Sequence, residues 1–186
     1  MSKTSGKYNV TDPRKISYEL FTLTYGSFVM QLIKDYEDVD EVNKQLDTIG
    51  YNMGNRMIED FLARNPHISR CSDFRETAEV LSKQAFKMFL GIQPQVTNWN
   101  NSFDEFSLII DPNPLTEFVE FPDHGKFEKL NYSQIICGAI RGALEMVQLK
   151  VECNLKTDQN KGDSTYTEIR IKFVEIIQDA IPVGED

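Results

Sequence analysis

The chain opens its ordered pattern at Ile16. From there to about Tyr36 apolar residues recur at helical spacing on two faces, one through Phe21, Tyr25, Phe28, Leu32 and Tyr36, the other through Leu20, Leu23, Ser27 and Met30. A helix that is apolar on two faces is either deep in a core or packed on a partner, and the second reading is the expectation here. A second helix is predicted from Asp38 or Asp40 to about Arg64, with a stripe through Val42, Leu46, Ile49, Met53, Met57 and Phe61. Gly50 and Gly54 interrupt it, which points to close backbone approach, either inside the fold or across a subunit contact. Asn65-Pro66 ends that helix. A third helix is predicted from Asp73, which with Glu76 makes an acidic version of the capping box. Its stripe runs through Phe74, Ala78, Leu81, Ala85 and Met88, and Gly91 terminates it. Ile92–Asn101 reads as a loop around Trp99.

The period then changes. Phe103–Ile110 reads as a strand, Asp111-Pro112-Asn113-Pro114 as a turn and Leu115–Phe121 as a returning strand. Residues 122–130 read as a polar loop. Tyr132–Val147 returns to helical period, with Gly138 and Gly142 repeating the small-residue spacing. Leu149, Val151, Cys153 and Leu155 alternate with polar residues, as do Ile169, Ile171 and Phe173, on either side of a polar turn at 158–163. The order ααα-ββ-α-ββ, with two hairpins polar on one face, predicts a two-layer α+β domain, a four-stranded antiparallel sheet packed on helices. Residues 1–15 are expected to be a flexible tail and 16–186 a single domain.

Charge narrows the function. Of 186 residues, 29 are Asp or Glu and 20 are Lys or Arg, a net charge of −9. That balance argues against a nucleic-acid partner and against direct docking on an anionic lipid surface. The longest uncharged run, Leu20–Ile33, is too short to span a bilayer, so no membrane insertion is expected. Three cysteines with no zinc spacing fit a reducing compartment and no metal site. No glycine-rich phosphate loop or catalytic constellation is present, so no catalytic residue is assigned. His67 and His124 fall in predicted loops, and their spacing to Cys71 does not specify a metal site or a Cys–His pair.

Cys71 is the exception. It precedes the cap of the third helix, and Arg64, His67, Arg70 and Arg75 flank it in sequence. A helix N-terminus and cationic neighbours lower a thiol's pKa, and the alanines of the following stripe leave room beside it. Two readings stand: an inert loop cysteine beside an ordinary core, or a reactive thiol at the mouth of an apolar channel suited to an acyl chain. Cys137 and Cys153 fall on apolar faces and read as core residues.

Several long motifs resemble one family. They are ELFTLTYGSFV (19–29), MIEDFLAR (57–64), RCSDFRETAEVLSKQAFKMFLGI (70–92), NWNNSFDEFSLII (98–110), NPLTEFVEFP (113–122), ICGAIRGALEMVQLKVE (136–152), GDSTYTEIRIKF (162–173) and IPVGED (181–186). Together they are similar to the Bet-three-like small subunits of the transport protein particle (TRAPP) complex. The resemblance implies a scaffold subunit rather than an enzyme, paired with other TRAPP subunits as a heterodimer or with itself. It implies vesicle tethering between endoplasmic reticulum and Golgi, with contact to the vesicle coat, and a part in nucleotide exchange on a Rab-family GTPase. The implied location is cytoplasmic, peripheral at the cis-Golgi and endoplasmic reticulum. It further implies a palmitoyl-type thioester on Cys71, with Arg70 assisting its formation and Ala85 on the wall of an acyl channel, and the stripe Phe74, Ala78, Leu81, Ala85 and Met88 is expected to line that channel. The tail Ile181, Pro182, Val183, Gly184 and Glu185 would lie near the GTPase. The alternative from the wider superfamily is a module that binds an apolar small ligand reversibly.

Overall fold

The computed structural model describes residues 17–120, 124–159, 161 and 164–178. The tail 1–15, the segment Ile181–Glu185 and the side chain of His124 lie outside the described residues. Six helices and four strands follow in the order α1 (Tyr18–Tyr36), α2 (Val39–Arg64), α3 (Phe74–Val80), a π-helical turn (Leu81–Ala85), α4 (Phe86–Phe89), β1 (Gln95–Thr97), β2 (Glu105–Ile110), α5 (His124–Phe127), α6 (Gln134–Met146), β3 (Leu149–Thr157) and β4 (Thr167–Ile176). The strands form one antiparallel sheet in the order β1-β2-β4-β3, the fold class expected from the periodicities.

Helix boundaries follow from local chemistry. Ser17 caps α1, Asp38 caps α2, and the Asp73 carboxylate accepts the Glu76 N–H at 2.8 Å. Each satisfies an otherwise orphaned first-turn donor. The reciprocal arm of the box at α3 is displaced by one residue, since the Glu76 carboxylate accepts from the backbone and hydroxyl of Ser72 at 2.6 and 2.8 Å. Gly91 follows α4 with φ of +73°, the left-handed geometry of a helix stop.

Three expected segments turn out differently. Within 122–130, expected as a loop, His124–Phe127 form α5. The chain pairs β2 with β1, not with a strand at Leu115–Phe121. Asn113 explains the difference. Its carbonyl accepts from the Thr116 backbone and hydroxyl, and its side chain accepts from Leu115 N–H at 3.0 Å, which folds 113–119 into successive turns. In place of that strand Gln95–Thr97 forms a three-residue edge strand from the stretch expected to be a loop.

The sheet's inner face, Phe106, Leu108, Ile110, Val151, Cys153, Ile169 and Ile171, is buried against the helices. The closest packing is between α2 and α6. A Cβ added at Gly50, Gly54, Gly138 or Gly142 would fall within 3 Å of backbone atoms of the opposing helix. The small-residue spacing on both helices is therefore an internal seam, which settles the choice left open by the sequence. Asp47 spans the same seam, paired with Arg141 and accepting from Gln134 Nε2 at 3.1 Å.

Helix α1 buries Thr22, Tyr25, Val29 and Ile33. Its other apolar face stays open: Leu20 is 63% exposed, Leu23 56% and Met30 46%. One of the two faces read from the sequence thus has no cover within the described chain. Among the described residues no helix is long and apolar enough to cross a membrane.

Candidate functional site

A cavity of about 1030 Å³ lies between α1, α2, α3–α4 and α6 and the end of β4. Its wall is apolar over most of its extent, with Phe61 and Met57 from α2, Leu81, Ala85 and Phe89 from the α3–α4 run, and Ile136, Ile140 and Leu144 from α6. Polar residues gather where Ser69, Arg70, Cys71, Ser72 and Asp73 meet it. Arg70, Ser72 and Asp73 are exposed and Cys71 is half-buried, so this segment forms a rim and the thiol stands between solvent and the apolar space.

The two helical periods explain how that wall is built. Phe74, Thr77, Val80 and Leu81 present one face of α3 to the cavity. Beyond Leu81 the helix widens: the Phe86 N–H reaches the Leu81 carbonyl, five residues back. The extra residue advances the facing positions to Ala85 with Phe86 and Phe89 with Leu90. Of the stripe expected to line a channel, Phe74, Leu81 and Ala85 are on the wall. Ala78 and Met88 are not. Ala78 is fully buried in the core on the adjoining face, where the i+4 step from Phe74 points while the wall follows the i+3 step to Thr77. Met88 is rotated away by the π turn and its sulfur accepts from Asn65 Nδ2 at 3.6 Å.

Phe74 also anchors the rim to the sheet. Its ring centroid lies 5.3 Å from Phe106, 5.6 Å from Phe173 and 6.2 Å from Trp99. These tilted and edge-on arrangements are the favourable ones for aromatic quadrupoles. The residue after the cap is thereby fixed, and Cys71 with it.

The electrostatics of Cys71 differ from the expectation. Its thiol pKa is raised, first by burial and then by the carboxylates of Glu76 and Asp73, against a hydrogen bond with Thr77 that lowers it. Two of the flanking cations are spent elsewhere. Arg64 pairs with Asp60 at 2.8 Å, and the Arg75 guanidinium stacks 3.3 Å from the Phe103 ring centroid. For Arg64 and Arg75, proximity in sequence leads to other partners in space. Thr77 was missed because its signal, a hydroxyl one helical turn after the cap, also fits the bond it makes to the Asp73 carbonyl at 3.0 Å.

His67 is exposed and is not on the cavity wall. Among the described residues no group of three or more metal-binding side chains occurs. Cys137 and Cys153 are buried free thiols with raised pKa values, that of Cys153 pushed up to about 12 by burial, as inert core residues should be.

Known proteins match most of this chain. Residues 21–172 match the family described as Transport protein particle (TRAPP) component. The chain is 55% identical over 172 residues to trafficking protein particle complex subunit 3 of Dictyostelium discoideum, covering 92% of this chain and 91% of that protein. It is 53% identical over 173 residues to trafficking protein particle complex subunit BET3 of Saccharomyces cerevisiae, covering 92% and 88%. A crystal structure of trafficking protein particle complex subunit 3 from Naegleria fowleri, covalently bound to palmitic acid, superposes with a TM-score of 0.80 at 47% identity, covering 87% of this chain and 98% of that one. On the matched span and these identities, the chain belongs to the TRAPP component family.

Proposed function

We propose that this TRAPP component carries a palmitoyl-type acyl chain as a thioester on Cys71, with the chain laid along the apolar cavity. The observation that carries the reading is a half-buried thiol standing between an exposed polar rim and about 1030 Å³ of apolar space. Palmitate on the Naegleria fowleri relative supports it. At about 0.8 kcal/mol per buried CH₂, a sixteen-carbon chain would gain on the order of 10 kcal/mol before entropy losses. A chain buried in this way acts as a piece of core rather than as a membrane anchor.

The thioester would form by exchange. The Cys71 sulfur attacks the carbonyl carbon of an acyl thioester donor, the new C–S bond forms, the bond to the donor sulfur breaks, and the donor leaves as a thiol. Arg70, on the exposed rim beside Cys71, is the residue placed to receive a polar donor group. Because the attacking species is the thiolate and burial raises the Cys71 pKa, transfer should be slow near neutrality and accelerate as pH rises through and above the usual thiol range near 8.5. A rate that is flat from pH 7 to 9.5 would contradict this.

Intact-mass measurement of the purified protein tests the core of the reading. One added acyl group, released by hydroxylamine and absent from Cys71→Ser, is expected. A free Cys71 thiol in the assembled complex would end it. Ala85→Leu should fold, since it adds a good helix former, yet lose most of the acylated species because three heavy atoms then fill the cavity wall. Normal acylation of that variant would remove Ala85 from the chain's path.

As a scaffold without catalytic residues of its own, the subunit would act through contacts. The open α1 face at Leu20, Leu23 and Met30 suits another TRAPP subunit or a second copy of the chain. Roles in tethering vesicles from the endoplasmic reticulum at the Golgi, and in exchange on a Rab-family GTPase through Ile181–Glu185, rest on the family resemblance. Reversible binding of a free apolar ligand is the second reading. The raised thiol pKa favours it over a spontaneously acylated cysteine, and in that case Cys71→Ser would keep its ligand.

A further inference from the structure

The α3–α4 run changes helical register in the middle of the cavity wall. Leu81 and Ala85, the two ends of the π turn, both face the cavity. Between them Ser82 is 3% exposed, and its hydroxyl donates to the carbonyl of Pro94, beyond the end of α4. That bond ties the π turn to the segment leading into β1. Single π turns in helices are uncommon and tend to sit where a site needs them.

What the turn does here follows from counting. In an uninterrupted α-helix the positions facing the cavity after Leu81 would be shared between Gln84 and Ala85, then Met88. With the extra residue they are Ala85 with Phe86, then Phe89 with Leu90, while Gln84 is exposed and Met88 is off the wall. The turn therefore keeps an amide and a long thioether out of an apolar space and puts Phe86 and Leu90 on the wall in their place. Relaxing the turn would bring Gln84 to the wall, where its amide has no partner.

We infer that Ser82 is a positioning residue for acyl-chain acceptance: by holding the π turn to the Pro94 carbonyl it keeps Gln84 and Met88 off the cavity wall and so sets how long a chain the cavity takes. This rests on the proposed acylation of Cys71. Ser82 touches neither the thiol nor the wall, so its effect on chain length would pass through the register of the helix.

The test compares acyl species by intact mass after loading the full chain with an equimolar mixture of palmitoyl and myristoyl thioester donors. Ser82→Ala should lower the ratio of palmitoyl to myristoyl product about tenfold against wild type, equivalent to about 1.4 kcal/mol. Ser82→Thr, which keeps the hydroxyl, should retain the wild-type ratio, and Gln84→Ala in the Ser82→Ala background should restore it. Ser107→Ala removes another buried hydroxyl bond, to Glu168 in the sheet, and controls for lost stability by leaving the ratio unchanged. Should Ser82→Ala not accumulate, Ser82→Cys, similar in shape with a weak donor, carries the same comparison. A wild-type protein that takes no acyl group overturns the proposed function itself. A wild-type protein that does, with an unchanged ratio in the Ser82 variants, overturns the role of Ser82 alone.

Discussion

Gly54→Ala is expected to destabilise the protein by about 3 kcal/mol or more, although the same change in an exposed helix would add about 1 kcal/mol. The sign reverses because the new methyl would meet backbone. An added Cβ at Gly54 falls within 3 Å of the Ala139 carbonyl and the Ala143 nitrogen. Backbone of a packed helix cannot swing aside as a flexible side chain does, so α2 and α6 would have to separate. Separation would in turn loosen the Asp47–Arg141 pair and the contacts of Val42, Leu46, Ile136 and Ile140. For a chain of this length about 3 kcal/mol corresponds to roughly 6–12 °C in melting temperature. Thermal and urea unfolding of the two proteins side by side measure it. A variant as stable as wild type would mean that the seam is not close-packed.

That seam was visible in the sequence as two pairs of glycines four residues apart, yet spacing alone left open whether the contact was internal. Spacing reports which residues share a helix face, and only the packing of the whole chain says what the face meets. The same limit explains Cys71. Its position beside the cap of α3 was readable, because Asp73 and Glu76 carry a local signal. Its electrostatics were not, because Arg64 and Arg75 had competing partners in Asp60 and Phe103 that no local pattern reveals. Leu115–Phe121 looked like a strand because its alternation fits one. Asn113 overrides that preference by supplying both a carbonyl and a side-chain acceptor to the next turn. Conversely, β1 is three residues with one large apolar side chain, Val96, too short for a period to register. Met88 was assigned to the channel on a 3.6-residue period that the π turn abolishes.

The polar turn after β3 held the largest surprise. Asp158 belongs to the stretch that the sequence predicts as a polar turn, and it is 2% exposed. Its carboxylate accepts from Ser133 N–H at 2.9 Å, from the Ser133 hydroxyl at 2.5 Å and from the Thr167 hydroxyl at 3.3 Å. Asn113 Nδ2 donates to the same two hydroxyls at 2.8 and 2.9 Å. Four segments thus meet in one network around this carboxylate: the turn after β2 (through the two hydroxyls), the start of α6, the end of β3 and the start of β4. Leu115 and Ile136, each two or three residues from the network, are on the cavity wall. The polar cluster therefore fixes where that wall stands.

Asp158→Ala would strand the Ser133 donors and the Thr167 hydroxyl in the interior. At about 1–3 kcal/mol for each buried group left unpaired, a loss of about 3 kcal/mol or more is expected. Asp158→Asn should lose less, since the amide oxygen still accepts, and it separates packing from charge. Burial outweighs the hydrogen bonds and raises the Asp158 pKa. A carboxylate with a raised folded pKa binds its proton more tightly in the folded than in the unfolded chain. Its contribution is therefore complete below the unfolded value near 3.9 and declines as pH rises through the folded one. The stability of wild type minus that of Asp158→Asn should accordingly shrink as pH increases above about 4, and level off once the folded carboxylate is ionised. Urea titrations of both proteins across that range read the difference directly. A difference that grows with pH would mean that hydrogen bonding, not burial, governs the carboxylate, and that the network is built around the ionised form.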